Sequence, residues 1–227
     1  MPLPRRAPMT DRFSICLPFV LSMECPYPND WSNPANFSNS PHDPGGRTQC
    51  GITEGELSAW RTAHGEPYED VRNMPRDEGY AIYEQNYWEP NCDSLAPGLD
   101  LSYADTSINQ GPTAATRILQ LVLGVDTDGI WGPITQAVAT AATFNIPATI
   151  LAFTAARKVA YRSYYNFPVF GNGWIHRATE IGADALSMTQ VPEGIKTVRA
   201  FVRTPRAYDG YGLRGVTMPR KPTHGQP

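Results

Sequence analysis

The sequence is short of charge and of long apolar stretches. Of its 227 residues, 19 are Lys or Arg and 22 are Asp or Glu, so 18% are charged and the net charge is −3. A protein that binds nucleic acid with its whole surface carries a clear basic excess, so this composition disfavours that class. The apolar segment at residues 13–23 is too short for a membrane span, which needs about 20 residues. We therefore expect neither a nucleic acid partner nor a membrane span.

The sequence also lacks the usual patterns for metal and nucleophile sites. Its four cysteines, at positions 16, 25, 50 and 92, include no Cys-x-x-Cys pair and no histidine at ligand spacing, which disfavours a zinc site. There is no Gly-x-Ser-x-Gly elbow and no phosphate loop. Asp126-Thr-Asp128-Gly129 has two alternating aspartates but no closing glutamate, so we interpret it as a tight turn. The prediction is a protein without metal or cofactor.

Hydrophobic residues make up 41% of the chain and aromatic residues 11%, which is enough to build a core. Charge is divided unevenly along the chain. Residues 192–227 hold seven basic residues against Glu193 and Asp209, a net of +5, whereas residues 1–191 hold 12 basic against 20 acidic, a net of −8. No helical period follows Pro192, so the sequence predicts an extended basic arm over 191–227.

The amino terminus imitates a signal peptide without completing one. Arg5-Arg6 precede the apolar segment, but Asp11-Arg12 adjoin it, Pro18 interrupts it and Glu24 ends it. No A-x-A-like cleavage site follows. We therefore predict a first helix, capped by Thr10 or Asp11, rather than a signal peptide.

Apolar spacing and helix-start signals predict a mainly helical protein. Residues 26–51 are rich in proline and asparagine, which predicts loops with at most a small hairpin. The fold class is thus mainly α, with a helical lobe and a small β or loop region that carries the site. The further helices are expected after the cap Thr53, after Pro75, at Ser102–Asn109, after Pro112, at Pro133, at Ile146 to about Asn166 as the longest, and from Gly173 to Met188.

Glu24 is the candidate catalytic residue. A carboxylate that leaves an apolar helix and enters a loop with Tyr27 and Trp31 is partly desolvated, which raises its pKa from about 4.3 toward 6 and suits a general acid. Asp43 lies on an Asp-Pro-Gly-Gly turn, and the Thr48 hydroxyl can hold a water. Two carboxyls and a water are the minimum for inverting glycoside hydrolysis. The alternatives are a solvated helix terminus at Glu24 and an ordinary turn at Asp43.

The order of these parts resembles a known family. An apolar helix, Glu-x-x-Tyr and Asp-Pro-Gly-Gly-x-Thr-x-x-Gly-Ile-Thr are similar to the start of the glycoside hydrolase family 108 muramidases, lysozyme-like enzymes of phages and bacteria. Residues 83–88 and 105–112 resemble two later helices of that family. Residues 119–135 resemble the peptidoglycan-binding module usually joined to it, and Gly173-Trp174 with Arg177 resemble the last helix. The resemblance covers roughly residues 12–188.

The resemblance implies cleavage of the β-1,4 bond between N-acetylmuramic acid and N-acetylglucosamine in peptidoglycan. Glu24 would be the acid, while Asp43 and Thr48 would orient water. Tyr27 and Trp31 are candidates for sugar contacts, as is Trp131, although the core-anchor alternative for Trp131 is the favoured one. The organisation implied is a catalytic region at 11–110, a helical peptidoglycan-binding-like region at 111–190 and the basic tail at 191–227.

Several alternatives stay open at this point. The chain could be a phage lysozyme, either an endolysin released by a holin or an enzyme carried in a virion, that acts on the cell wall in the periplasm. It could instead be an inactive muramidase-like component that binds peptidoglycan, with the arm tethering it to a phage tail or other protein. Asp105 could be an N-cap, a partner for Arg117 or a group near the cleft. A Cys25–Cys50 bridge would staple the catalytic loop.

Overall fold

A computed structural model describes residues 11–39, 46–89, 91–141 and 145–189 of the protein. Within these residues the chain forms eight α-helices and one small antiparallel sheet. In chain order the elements are α1 (Asp11–Glu24), β1 (Phe37–Ser38), β2 (Thr48–Gln49), β3 (Ile52–Thr53), α2 (Glu54–Ala63), α3 (Arg76–Tyr83), α4 (Leu99–Gln110), α5 (Pro112–Leu123), α6 (Pro133–Thr140), α7 (Ile146–Arg162) and α8 (Phe167–Met188). The predicted fold class, mainly helical with a small β region, is confirmed. The predicted basic arm lies outside the described residues.

Helix α1 packs one apolar face into the core. Its buried residues recur at the three- and four-residue spacing of a helix face: Phe13, Cys16, Leu17, Val20 and Leu21. Pro18 lies inside the helix with its ring on the exposed side, which matches the pattern. Glu24 is the last residue of α1, so its carboxylate lies at the end of this apolar face.

Helix α4 is the centre of the fold. Every residue from Leu99 to Ser107 is buried, as expected for a helix that is enclosed by others. The helix contacts α1, α5, α7 and α8. The helix begins before the predicted Ser102 because Gly98, with φ +88°, lets the chain turn tightly into it. A Cβ on Gly98 would clash with the carbonyl oxygen of Ala185 in α8, so the two backbones meet there.

The sheet is a three-stranded meander. β1 pairs with β2 and β2 with β3, both antiparallel. A two-residue turn, Cys50-Gly51, joins β2 to β3 with φ values of +44° and +77°, which is the geometry of a type I′ hairpin turn. Thr53 then caps α2, its side chain accepting a hydrogen bond from the Glu56 N–H at 3.1 Å. The predicted cap and small hairpin are both present.

The last two helices differ from the sequence expectation. The predicted longest helix, α7, ends at Arg162 after 17 residues, whereas α8 begins at Phe167 and runs for 22. An aromatic cluster explains the early start of α8, because Phe167 and Phe170 pack on Trp174, which stacks on Tyr161 of α7 at 5.4 Å. The expectation that α7 is the longest helix, and that α8 opens at Gly173, is wrong.

Candidate active site

Glu24 lies at the end of α1 with its side chain only 11% exposed. Its Oε1 forms an ion pair with Nη1 of Arg177 at 2.5 Å. Arg177 is itself buried and belongs to α8, the last described helix. The sequence predicts an apolar, desolvated setting for this carboxylate, and the structure adds a cation that the prediction did not contain.

The β2–β3 turn closes the other side of Glu24. A Cβ on Gly51 would lie 2.6 Å from Glu24 Oε2 and 2.7 Å from the Tyr83 hydroxyl oxygen, so only glycine fits there. The Tyr83 hydroxyl donates a hydrogen bond to the Cys50 carbonyl at 2.6 Å. Burial, and then the carboxylates of Glu24 and Glu56, raise the pKa of Tyr83 well above its usual value. Tyr83 therefore stays neutral and serves as a donor that fixes the turn.

Behind Arg177 lies a buried cluster of alternating charge. Arg177 donates from Nη2 to Oδ1 of Asp105 at 2.7 Å and from Nε to both oxygens at 3.1 Å. Arg157, on α7, binds the same carboxylate through Nη1 at 2.7 Å. Two arginines and two carboxylates, Glu24 and Asp105, are thus brought together, and their formal charges cancel.

The charge states in this cluster follow from its geometry. Burial alone would raise the pKa of Asp105, but Arg177 and Arg157 outweigh it, so the pKa is lowered. Burial alone would lower the pKa of Arg177, but Asp105 and Glu24 raise it well above its ordinary value. Asp105 is therefore a fixed anion, and it holds a permanently charged guanidinium against Glu24.

Arg157 also donates hydrogen bonds to neutral side chains. Its Nε donates to the Tyr161 hydroxyl at 3.1 Å and to Gln110 Oε1 at 3.2 Å, and Tyr161 in turn donates to Asn109 Oδ1 at 2.6 Å. These contacts join α7 to the end of α4. The rotamer of Arg157 is consequently fixed by several independent partners.

Strand β2 carries Thr48, the proposed water-orienting residue. Thr48 is buried and its hydroxyl donates to the Gly46 carbonyl at 3.1 Å. The preceding residue, Arg47, forms ion pairs with Glu54 and Asp70 and lies over the Phe37 ring at 5.7 Å. The start of β2 is thereby tied to α2 and β1. Asp43, the second predicted carboxylate, lies outside the described residues, so its position relative to Glu24 is untested.

The three predicted sugar-binding aromatics occupy different settings. Tyr27 is 51% exposed on the loop after Glu24, whereas Trp31 is only 8% exposed and packs against Gly79 and, at 5.7 Å between rings, Tyr80. Trp131 packs edge-on against Tyr103 of α4 at 5.4 Å. Among the three, Tyr27 presents the most surface to a ligand.

A disulfide joins Cys25 to Cys50, as hypothesised from the sequence. It links the residue after Glu24 to the β2–β3 turn that contacts Glu24. Cys16 and Cys92 are free and buried, and burial raises the pKa of both thiols well above its usual value.

Sequence reasoning missed the arginines of the site. Of the alternatives for Asp105, pairing with Arg117 is wrong: Asp105 binds Arg157 and Arg177, while Arg117 reaches the Asp128 carbonyl at 3.5 Å. One signal was available in the sequence. Arg157 and Arg177 each interrupt the apolar face of a predicted helix, and a charge in such a position needs a buried partner.

Within the described parts of the chain, no three His, Cys, Asp or Glu side chains are grouped to hold a metal ion. None of the helices described is both long and apolar enough to cross a membrane.

Comparison with known proteins adds to this geometry. A family model described as glycosyl hydrolase 108 matches residues 21–111. Among solved structures, that of SagA from Brucella abortus is 31% identical in sequence, with a TM-score of 0.67 over 79% of this chain and 97% of that one. No curated protein matches the sequence. The matched segment holds Glu24, Thr48, Gly51 and Asp105, and the likeness to SagA covers most of the chain. The chain therefore belongs to glycosyl hydrolase family 108.

Proposed function

We propose that the protein is a peptidoglycan hydrolase, an N-acetylmuramidase that cleaves the β-1,4 bond between N-acetylmuramic acid and N-acetylglucosamine. One observation carries the proposal: in a chain of a glycosyl hydrolase family, Glu24 is held between a buried arginine and a glycine turn, at the end of an apolar helix. A carboxylate that is fixed in this way keeps one geometry relative to a bound substrate, which general acid catalysis needs.

In the proposed reaction, protonated Glu24 donates its proton to the glycosidic oxygen as the bond to the muramic acid carbon breaks. Water, oriented by Asp43 and Thr48, then attacks that carbon from the opposite face and gives up a proton to Asp43. Arg177 occupies Oε1, which leaves Oε2 to carry the proton. The same guanidinium stabilises the carboxylate that Glu24 becomes, because opposite charges attract strongly where water is excluded.

For substrate contacts we propose Tyr27 first, because half of its surface is free to lie against a sugar ring. The proposal retains Trp31 and Trp131 as further contacts. The Trp31 side chain would have to move away from Gly79 to contact a sugar. Trp131 would contact a sugar with the part of its ring that Tyr103 does not cover. Residues 111–190 would add affinity for peptidoglycan, as their likeness to a binding module implies.

The first test is turnover of purified peptidoglycan by the wild type and by Glu24→Gln, with mass spectrometry of the released fragments. The wild type should release muropeptides with reducing muramic acid ends, and Glu24→Gln should not. Glu89→Gln is a matched control, because Glu89 is an exposed glutamate outside the cluster. Inert wild-type protein would contradict the proposal.

A second candidate function is an inactive muramidase-like protein that binds peptidoglycan or serves as a structural virion component. The ion pair between Glu24 and Arg177 favours it, because a carboxylate that binds a buried arginine can be a structural partner without taking part in a reaction. Wild type and Glu24→Gln would then be equally inert but would both sediment with peptidoglycan.

The proposal also includes a phage setting, with the enzyme reaching the cell wall in the periplasm through a holin or in a virion. The basic residues 192–227 would tether it to a phage tail or another protein. Deletion of 192–227 tests this part. Unchanged turnover with loss of a co-purifying partner supports a tether, whereas lost turnover would mean that the arm binds substrate.

A further inference from the structure

The Cys25–Cys50 disulfide joins the two segments that carry the proposed chemistry. Cys25 directly follows Glu24, and Cys50 lies two residues after Thr48 and directly before Gly51. The bridge thus connects the end of the helix that holds the acid to the strand that holds the water-orienting hydroxyl. Both sulfur-bearing residues are buried, at 2% and 0% exposure.

The turn that contains Cys50 has an unfavourable backbone. Cys50 has φ +44°. Among the described residues it is the only one other than glycine in the left-handed region. A side chain is disfavoured in that region, and hairpin turns of this type prefer Asn, Asp or Gly at that position. Three contacts hold this conformation: the disulfide, the hydrogen bond from Tyr83 to the Cys50 carbonyl and the hydrogen bond from the Cys50 N–H to the Asn36 carbonyl at 3.0 Å.

This turn also sets the position of Glu24. Gly51 lies so close to Glu24 Oε2 that a Cβ there would be 2.6 Å away. If Cys50 left the left-handed region, Gly51 would move with it, and Glu24 would lose the wall that opposes Arg177. Misplacement of a catalytic group by about 1 Å can cost about 10²-fold in rate.

We propose that the Cys25–Cys50 pair is a redox gate: the disulfide form is the active hydrolase, and the dithiol form is folded but has little activity. The inference rests on the proposed function. Oxidation removes two electrons and two protons from the thiols and passes them to a low-molecular-weight disulfide or a thiol oxidase, which becomes reduced. Because reducing compartments keep thiols free and the bacterial periplasm oxidises them, hydrolysis would begin only where the bridge can form.

The gate belongs to this pair among the four cysteines. Cys16 and Cys92, the other two, are free and buried, and neither forms a bridge in the structure.

The test uses full-length protein purified from a reducing cytoplasm and kept under reductant. Half is then oxidised with glutathione disulfide, and alkylation followed by mass spectrometry counts the thiols in each half. We expect the number of alkylated cysteines to fall by two, peptidoglycan turnover to rise by about 10- to 100-fold and the helical circular dichroism signal to stay unchanged.

Three variants separate the gate from other effects. Cys25→Ser with Cys50→Ser should stay at the reduced level in both buffers, whereas Cys16→Ala with Cys92→Ala should respond like the wild type. Cys25→Ala with Cys50→Gly should recover part of the activity without any bridge, because glycine accepts the left-handed conformation. If this variant recovers no activity, the conformation of the Cys50 turn is not the cause of the lower activity of the reduced form.

The outcomes distinguish the gate from the function beneath it. Oxidised wild-type protein without turnover contradicts the proposed hydrolase itself. Equal turnover by the reduced and oxidised forms leaves the hydrolase intact and overturns the gate. Loss of the helical signal on reduction would also overturn it, because the disulfide would then merely hold the fold.

Discussion

Asp100 and Asp105 lie five residues apart on α4, and both are fully buried, yet they serve different regions of the molecule. Asp100 binds one arginine, Arg12 of α1, at 2.7 and 2.9 Å, and also accepts from the N–H groups of Gly98 and Leu101. Asp105 binds two arginines from α7 and α8. Arg12 contacts one carboxylate, that of Asp100. Arg177 contacts two, those of Asp105 and Glu24.

The pKa values of the two aspartates move in opposite directions. Burial raises the pKa of Asp100 above its usual value despite Arg12, which is itself 31% exposed. The two buried arginines lower the pKa of Asp105. In this protein, the carboxylate with one partly exposed arginine joins two helices, whereas the carboxylate with two buried arginines supports the proposed acid, Glu24.

Glu24→Gln and Asp100→Asn separate chemistry from folding most strongly. We expect Glu24→Gln to lower kcat by about 10²- to 10⁴-fold, the usual contribution of a general acid, and to lower Tm as well, because the buried Arg177 loses one of its two carboxylate partners. Asp100→Asn should lower Tm while the specific activity of the folded protein is retained. Peptidoglycan turnover and calorimetry check both. A kcat loss in Asp100→Asn as large as that in Glu24→Gln would break the distinction between the two regions.

Arg177→Gln and Arg12→Gln compare the two arginine sites. Removing Arg177 leaves buried carboxylates poorly compensated, so we expect a loss of about 3–5 kcal/mol of unfolding free energy together with most of the activity. Removing Arg12 should cost about 1.5–3 kcal/mol, because solvent reaches that site, and should spare catalysis. Urea unfolding measures the free energies. Arg177→Lys is the control that keeps the charge but loses the fork, so its activity should stay low.

The effect of pH on stability should also differ between Asp105 and Asp100, and this effect is smaller than those above. Asp105 has a lowered folded pKa, so its contribution is present above the unfolded value of about 3.9 and is lost as pH falls through the folded pKa. Asp100 has a raised folded pKa, so its contribution is present below the unfolded value and lost as pH rises through the folded one. The destabilisation by Asp105→Asn should therefore shrink on acidification, and that by Asp100→Asn should grow. Unfolding free energies from pH 7 down to pH 3 test the signs.

The smallest expected effect lies at the outer contacts of the Asp105 cluster. Tyr161→Phe removes a hydroxyl that accepts from Arg157 and donates to Asn109. We expect a loss of about 1 kcal/mol with kcat unchanged, because Arg177 keeps its own contacts to Asp105 and Glu24. A measurable fall in kcat would show that the whole cluster, and not Arg177 alone, positions the proposed acid.

Local signals in the sequence predicted local structure well. Prolines at 112 and 133 stand in the first turns of α5 and α6, and Thr53 caps α2, as expected. Glu24 could be chosen because it ends an apolar face. The Asp105–Arg177 pair could not be derived, since its partners lie 72 residues apart and meet only when α8 packs on α4. The start of α8 was missed for a similar reason, because its first turns depend on packing against Tyr161.

The close meeting of Gly98 with Ala185 has a consequence for building chimeric enzymes. The segment matched by the family model ends at residue 111, but the arginine that touches Glu24 comes from α8, whose backbone abuts α4 without room for a side chain between them. A hybrid that took residues up to 111 from one relative and the remainder from another would combine two backbones shaped for different neighbours. Within the described residues, α1 through α8 should therefore be exchanged together as one unit.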